Sequence, residues 1–232
     1  MIKTSKGKFF VIDGVDGSGK GTQTKILVEK LKSEGHNVLE VDFPQYGQKS
    51  AALVEEYLNG KFGDAHEVTP YQASIFYACD RFEASKEMKE HLANGGIIIS
   101  NRYVSSNQIH QSGKISDETE LNKFLAWLDD LEFNIFNIPK PDKVIFLNVP
   151  FKIGQILVGK KDLRTYIEDS TQTHDIHEAD DEHMEQSYNR ACSLVQKYDY
   201  WEEIKCENGT EDSIRSIEDI SKEIFNLVKQ NL

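Results

Sequence analysis

The chain of 232 residues can form one large domain with a sizeable core or two small domains, and its hydrophobic content of 38% is ordinary for a globular protein. A formal net charge of −12 argues against nucleic-acid and anionic-membrane partners, although a locally basic pocket remains compatible with a small anionic ligand. No apolar run reaches membrane-spanning length, the first residues lack a signal-peptide core, and three scattered cysteines fit a reducing compartment, so we expect a cytoplasmic protein.

Short apolar runs alternate along the chain with longer helical patterns. The runs that predict buried strands are 9–13, 38–41, 97–100, 144–149 and, less clearly, 201–206. The helical patterns cover 22–33, 70–92, 121–136, 180–198 and 216–230. Strands that alternate with helices predict a single α/β domain over residues 1–232, with a mostly parallel sheet.

A glycine-rich segment, FFVIDGVDGSGKGTQ, joins the first predicted strand to the first helix. Gly14, four further residues and Gly19-Lys20 match the start of the phosphate-loop motif G-x-x-x-x-G-K-[ST]. Loop N–H groups and the positive end of the next helix suit phosphate oxygens, and Lys20 adds a cation for the β and γ phosphates of ATP. The predicted ATP-binding residues are Gly14, Gly17, Ser18, Gly19, Lys20, Gly21 and Thr22.

The loop departs from this motif directly after the lysine, where Gly21 stands in place of serine or threonine. The hydroxyl that usually contacts Mg²⁺ is therefore missing, and either Thr22 substitutes for it or water holds the ion. Asp16 is unusual inside such a loop, because a carboxylate repels phosphates. We expect it to face a sugar hydroxyl or the metal ion, with capping of loop N–H groups as the structural alternative.

An ordered set of motifs resembles the thymidylate kinase family over about residues 8–198. The motifs are DGVDGSGKGTQ, FPQYG, FYACDRFE, NRYVSSNQIHQ and PKPD. The resemblance implies a P-loop NTPase fold, with a five-stranded sheet wrapped by helices and a mobile lid at about residues 159–178, in a homodimer. It also implies a nucleoside monophosphate kinase that moves the γ-phosphate of ATP onto thymidine 5′-monophosphate (dTMP) with Mg²⁺, for dTTP synthesis.

The resemblance also implies roles for residues of the acceptor site. Asp16 would bind the 3′-hydroxyl of the acceptor nucleotide, and Arg102 would hold its phosphate. The other implied contacts are Phe43 and Tyr46 lining the site, Tyr77 stacking on thymine, Arg81 and Asn107 bonding the base, and His110 near the sugar 2′ position.

Two of these residues have structural alternatives that the residues alone leave open. Tyr77 and Arg81 lie four positions apart on a predicted helix and so share one face. Tyr77 could instead be a core aromatic. Arg81 could instead form an ion pair with Asp80 or Glu83 on a solvated helix face.

The predicted lid is expected to supply a cation to the phosphates and to exclude water when it closes. Gly17 occupies the loop position where some relatives carry arginine, so the lid should provide this charge. Arg164 is a better candidate than Lys160 or Lys161, because its planar guanidinium can bridge phosphoryl oxygens. A solvated basic turn is the alternative. The predicted catalytic residues are Lys20, Arg102, Arg164 and Asp16.

An acidic, histidine-containing stretch follows these lid residues. His174, His177, Glu178 and His183 have side chains that can bind metal ions, and two of the histidines have His-x-x-His spacing. No cysteine supports a metal site there, and acids are favourable in the first turn of a helix. We therefore favour a solvated helix start over a metal site.

The segment GGIIISNRYVSSN ends a buried strand in Asn101 and Arg102, at the sheet edge where α/β proteins bind ligands. Relatives place a carboxylate at the position of Asn101. We expect Mg²⁺ to be held mainly through phosphates and water, with Asp16, Thr22 and Asn101 as candidate contacts. Two alternatives stay open: a nucleotide-binding protein with weak or lost catalysis, and a kinase that prefers another pyrimidine deoxynucleotide such as dUMP.

Overall fold

The computed structural model describes residues 7–63, 67–150, 153–154, 181–209 and 213–232. The strands are β1 (Lys8–Asp13), β2 (Val38–Asp42), β3 (Ile97–Asn101), β4 (Lys143–Asn148) and β5 (Trp201–Lys205). They form one sheet in the order β2-β3-β1-β4-β5, and each neighbouring pair is parallel. The predicted α/β fold with a five-stranded parallel sheet is confirmed.

Helices pack on both faces of this sheet. They are α1 (Lys20–Ser33), α2 (Ala52–Leu58), α3 (Pro70–Ala93), α4 (Val104–Gly113), α5 (Glu118–Asp129), α6 (Asp181–Lys197) and α7 (Ile217–Asn231). A 3-10 helix (Lys49–Ala51) precedes α2, and a π-helix (Asp130–Ile135) continues α5. The sequence patterns did not predict α2 or α4, because α2 is only 7 residues long and α4 is mostly polar. No helix in the described ranges is long and apolar enough to cross a membrane.

The central strand β1 shows why the strand sequences are continuously apolar. Phe9 and Val11 belong to the hydrophobic cluster on one face of the sheet, and Phe10 and Ile12 belong to the cluster on the other face. All four side chains are fully buried. Side chains alternate between the faces of a strand, so a sheet covered by helices on both sides needs apolar residues at consecutive positions.

Helix α3 carries several residues that line the cavity described below, and its start is fixed by local chemistry. The Thr69 side chain accepts a hydrogen bond from the backbone N–H of Gln72, and the Gln72 side chain returns one, which forms a capping box. Pro70 occupies the first turn, where its missing N–H costs nothing. The helix then runs for 24 residues, so Tyr77 and Arg81 lie on a long, well-anchored element.

The order of the strands creates a crevice at the carboxyl edge of the sheet. β1 lies between β3 and β4, so the segments that follow β1 and β3 begin next to each other at this edge. The register pairs Ile12 of β1 with Asn101 of β3, and Asn101 with Asp42 of β2. Ligands of α/β proteins bind at such edges. The structure therefore brings the ends of β1, β2 and β3 together around one site.

Candidate active site

The phosphate loop wraps around the ammonium group of Lys20. This group donates hydrogen bonds to the carbonyl oxygens of Gly14, at 2.8 Å, and Val15, at 2.9 Å. Gly17 and Gly19 both have φ of 82°, a conformation that glycine adopts without strain. A side chain at Gly17 would also meet the carbonyl oxygen of Gly154, which explains why no arginine fits there.

Asp13, at the end of β1, ties the loop to helix α4. Its fully buried carboxylate accepts hydrogen bonds from the N–H of Gly14, at 2.8 Å, and the hydroxyls of Ser105, at 2.5 Å, and Ser106, at 2.9 Å. These contacts satisfy the buried charge and fix the direction in which the loop leaves the sheet. No role was assigned to Asp13 from the sequence, although an acidic residue at the end of a buried strand indicates a position near a binding site.

An ion pair joins the phosphate loop to the end of β3. Arg102 donates to the Asp16 carboxylate at 2.5 Å, and the Lys20 ammonium lies 3.9 Å from the same oxygen. Arg102 itself has φ of 64°, a left-handed conformation that is uncommon for a residue with a side chain. Strained backbone of this kind occurs often at functional sites. Asp16 therefore lies between the two cations that were predicted to handle phosphates.

His110 accepts a hydrogen bond from Arg102, with its Nε2 atom 3.1 Å from the guanidinium nitrogen. Because arginine can only donate, Nε2 must be unprotonated and the proton of the neutral ring lies on Nδ1. Loss of water around the ring lowers the pKa of His110 well below its ordinary value; the charge of Arg102 lowers it further, and Asp16 opposes the change. His110 is thus a neutral acceptor.

His183 lies near this histidine, at the beginning of α6. Its ring is buried, with its centroid 6.0 Å from that of His110. The expected solvated helix start is therefore wrong at His183. His174, His177 and Glu178 lie outside the described residues, and within the described ranges no group of three or more His, Cys, Asp or Glu side chains could hold a metal ion.

An inner cavity lies beside this ion pair. It brings together every residue that the sequence assigned to the acceptor: Asp16, Phe43, Tyr46, Tyr77, Arg81, Arg102, Asn107 and His110. The cavity is also lined by Gln111, whose buried carbonyl oxygen has no hydrogen-bond partner among the described residues. Tyr77 is partly buried, lines the cavity and packs in a T-shaped arrangement with the ring of Tyr57.

Arg81 is buried in a network and does not lie on a solvated helix face. Its guanidinium donates to both carboxylate oxygens of Glu132 in the π-helix, and to the backbone carbonyl of Tyr103 at 3.3 Å. Arg81 is 1% exposed and Glu132 is fully buried. The structural alternative for Arg81, an ion pair with Asp80 or Glu83 on a solvated helix face, is therefore wrong. Glu132 was missed because an acid in an amphipathic pattern resembles a solvent-facing residue.

The same guanidinium fixes the orientation of the Asn107 amide. Arg81 donates to the Asn107 side chain at 3.2 Å, and only the oxygen end of the amide can accept this bond. The amide N–H2 group is buried and has no partner in the described part of the chain. Asn107 therefore has a hydrogen-bond donor available, and its carbonyl oxygen already accepts one bond from Arg81.

Asp80 anchors the segment that carries Phe43 and Tyr46. Its buried carboxylate accepts hydrogen bonds from the backbone N–H of Gln45, at 2.9 Å, and the hydroxyl of Ser50, at 2.6 Å. The segment is thus attached to helix α3, and the two aromatic side chains stay over the mouth of the inner cavity.

A second cavity, the loop cavity, lies next to the inner cavity. Its lining consists of the phosphate loop and the ends of β2 and β3: Asp16, Gly17, Gly19, Lys20, Gly21, Thr22, Asp42, Phe43, Pro44, Tyr46, Asn101 and Arg102. Asp16 and Arg102 also line the inner cavity, so the two cavities meet at this ion pair.

The Asn101 side chain donates a hydrogen bond to the Asp42 carboxylate at 2.8 Å. Loss of water raises the pKa of Asp42, and the hydrogen bond from Asn101 and the charge of Arg102 oppose this rise. A carboxylate is therefore present at this edge, one strand away from the position where it was expected. Sequence reasoning missed Asp42, although the argument from strand ends applies to β2 as well as to β3.

The lid candidates Lys160, Lys161 and Arg164 lie outside the described residues.

A glycine-rich loop around a lysine, at the carboxyl edge of a parallel sheet, defines a P-loop nucleotide-binding protein. The family model for thymidylate kinase matches residues 12–206. The chain belongs to the thymidylate kinase family.

The chain is also similar in sequence to individual members of this family. The chain is 32% identical to the thymidylate kinase of Mycobacterium tuberculosis over 144 residues, which are 62% of this chain and 66% of the relative. It is 32% identical to that of Plasmodium falciparum over 150 residues, 65% of each chain. The aligned parts thus span about two thirds of these relatives. A probable thymidylate kinase of Thermococcus gammatolerans is 28% identical over 97% of this chain and 98% of its own.

A solved structure supports the fold alone. The thymidylate kinase of Candida albicans superposes with a TM-score of 0.72 over 97% of this chain and 92% of its own, at 21% identity.

We predict that Glu132→Ala strongly destabilises the protein, because it leaves the buried Arg81 guanidinium without its carboxylate. Breaking a buried pair in this way costs about 3–5 kcal/mol. Denaturant unfolding followed by circular dichroism measures the loss. As a control, Arg81→Met with Glu132→Leu removes both charges and should recover much of the stability. A loss below about 1 kcal/mol for the single variant would contradict the network.

We also predict that His110 makes the protein less stable in mild acid. Its pKa is lowered in the folded state, so the unfolded chain takes up a proton below the ordinary value of about 6.5 and the folded chain does not. The stabilising contribution is therefore present above that pH and is lost as the pH falls, by at most about 1.4 kcal/mol per unit.

Unfolding free energies measured from pH 7.5 to 5 test this prediction. His110→Gln keeps a side-chain acceptor for Arg102 and should flatten the dependence. His36→Gln, at a histidine remote from both cavities, serves as the matched control. Equal slopes for the wild type and His110→Gln would show that His110 does not titrate as argued.

Proposed function

We propose that this protein transfers the γ-phosphate of ATP to dTMP, giving dTDP and ADP for dTTP synthesis. The observation that carries the proposal is the meeting of the loop cavity and the inner cavity at Asp16 and Arg102. A phosphoryl group passes directly between two nucleotides only if their phosphates meet, and each cavity has the lining that one of the two substrates needs.

The donor nucleotide is proposed to bind at the loop cavity. The N–H groups of residues 14–22 and the start of α1 would surround the triphosphate. Lys20, which donates to loop carbonyls in the described structure, would turn its ammonium toward the β and γ phosphates. The positions of these groups support the predicted ATP-binding roles.

The acceptor is proposed to bind in the inner cavity, with Tyr77 against the base and Arg102 on the phosphate. Asn107 supplies the base contact for which the geometry is most explicit, because its buried N–H2 group has no partner among the described residues. A donor in this position suits the carbonyl oxygens of thymine. It opposes the amino group of cytosine, which would place two donors against each other.

The transfer itself requires positioning and charge more than covalent chemistry by the protein. An oxygen of the dTMP phosphate forms a bond to the γ-phosphorus as the bond from that phosphorus to the β-phosphate oxygen breaks. Lys20 and Arg102 would stabilise the negative charge on the transferring group. Before that, Arg102 must exchange the carboxylate of Asp16 for a phosphate oxygen, and Asp16 then becomes available to a sugar hydroxyl.

Mg²⁺ is proposed to accompany ATP, and it would neutralise charge on the phosphates. The residues present fit such an ion. The carbonyl oxygen of Asn101 is buried without a hydrogen-bond partner among the described residues, and Thr22 and Asp16 line the same cavity.

The remaining features of the proposal rest on the sequence. We propose that the chain forms one kinase domain over residues 1–232, that it acts in the cytoplasm, and that a lid at about 159–178 brings Arg164 to the phosphates. A homodimer is proposed as well. Helix α3 has an apolar stripe at Ile75 and Phe82, which are 43% and 51% exposed, and this stripe suits a second copy of the chain.

A coupled ADP-release assay with ATP, Mg²⁺ and a panel of monophosphates tests the activity. We expect turnover with dTMP, at least about 100-fold lower kcat/KM with dCMP because of the Asn107 donor, and a loss of about 10- to 200-fold with dUMP, which lacks one methyl group. Lys20→Ala should abolish turnover. Tight dTMP binding without turnover would favour a binding protein, and a preference for dUMP would change the acceptor.

Phe82→Arg is expected to shift the protein from dimer to monomer, because it places a charge in the apolar stripe of α3. Size-exclusion chromatography with light scattering gives the mass, which is 26.5 kDa for one chain. Ile217→Arg, at another exposed apolar position, is the matched control and should leave the mass unchanged. A wild-type protein of monomer mass, or a dimer unaffected by Phe82→Arg, would rule out this interface.

A further inference from the structure

Asp42 and Asn101 lie side by side at the ends of neighbouring strands. The register of β2 and β3 pairs the two residues, and the Asn101 amide donates to the Asp42 carboxylate at 2.8 Å. Both line the loop cavity, together with Lys20 and Thr22. The pair therefore belongs to the wall of the cavity in which the triphosphate is proposed to bind.

The hydrogen bond fixes which atoms the pair can offer to a ligand. A carboxylate only accepts, so the N–H2 end of the Asn101 amide must face Asp42. The carbonyl oxygen of Asn101 is then left over, and it is buried without a hydrogen-bond partner among the described residues. A carboxylate and an amide carbonyl are oxygen ligands of the kind that Mg²⁺ and its bound water accept.

Gly21, where the phosphate loop departs from its motif, lies close to this pair. The motif has serine or threonine directly after the lysine, and its hydroxyl contacts Mg²⁺. Here the residue is Gly21, and a Cβ built on it would lie 3.9 Å from the Asn101 amide nitrogen. The missing side chain would thus point toward Asn101. Asn101, with Asp42 beside it, therefore lies close to the position from which the motif would otherwise supply a metal ligand.

We propose that Asp42 and Asn101 together bind the Mg²⁺ of the bound nucleoside triphosphate, directly or through its water, in place of the hydroxyl missing at Gly21. Asp42 supplies the charge, and Asn101 positions that carboxylate and adds a neutral oxygen. The inference rests on the proposed function, because it requires the triphosphate to bind at the loop cavity.

Binding measurements test the proposal without using turnover. Calorimetry with the β,γ-imido analogue of ATP, in Mg²⁺ and in EDTA, gives the metal-dependent part of the affinity. Electron paramagnetic resonance gives the affinity of Mn²⁺ for the protein–analogue complex. The variants are Asp42→Asn, the exchange Asp42→Asn with Asn101→Asp, and Glu40→Gln. The last removes the same charge from an exposed position two residues earlier on β2, outside the cavity lining.

We expect Asp42→Asn to weaken Mn²⁺ binding at least roughly tenfold, the usual effect of losing a group that holds or orients a metal ion. Its analogue affinity in EDTA should not fall. The exchange variant keeps one carboxylate bonded to one amide and should regain most of the loss, and Glu40→Gln should bind Mn²⁺ like the wild type. Thermal melting confirms that each variant is folded.

Three results would overturn the proposal: wild-type Mn²⁺ affinity in Asp42→Asn, equal losses in Asp42→Asn and Glu40→Gln, or a folded exchange variant that regains nothing. The failure of the proposed function has a different signature. In that case the wild type binds the analogue with Mg²⁺ but phosphorylates no monophosphate. The Mn²⁺ affinities of the variants would still test the metal site.

Discussion

The ion pair between Asp16 and Arg102 is the contact on which the architecture of the site depends. It spans the crevice between the phosphate loop and the end of β3, and it forms the boundary of both cavities. The surrounding structure holds each end in place: Asp13 fixes the exit of the loop, and the left-handed backbone of Arg102 directs its side chain back across the sheet edge. Phosphate groups from either side would meet charges that are already positioned.

The sequence alone predicted the features that depend on residues close together along the chain. The phosphate loop depends on a strand, three glycines and a lysine within about a dozen positions, and the start of α3 depends on Thr69, Pro70 and Gln72. The buried strands followed from continuous apolar runs. The residues that the resemblance assigned to the acceptor nucleotide line one cavity, an arrangement that spacing alone could not indicate.

Contacts between distant parts of the chain could not be predicted in this way. Arg81 and Glu132 are 51 positions apart, and Asn101 and Asp42 are 59 apart. Each partner, considered alone, is an ordinary polar residue, and its role appears only when folding brings the other one beside it. Helix α4 escaped prediction for a related reason, since it buries several polar side chains, and Ser105 and Asn107 have partners on distant parts of the chain.

The π-helix that follows α5 has a consequence for how such enzymes can diverge. Successive residues of an α-helix are about 100° apart around its axis, so a wider turn changes the direction of every side chain beyond it. Glu132 reaches Arg81 from within this turn. The loss or gain of one residue in this turn would rotate the Glu132 carboxylate away from Arg81. The identities of the residues that line the cavity would stay the same. The arrangement of Arg81 and the Asn107 amide is thus tied to backbone length at a site that aligned residue identities do not reveal.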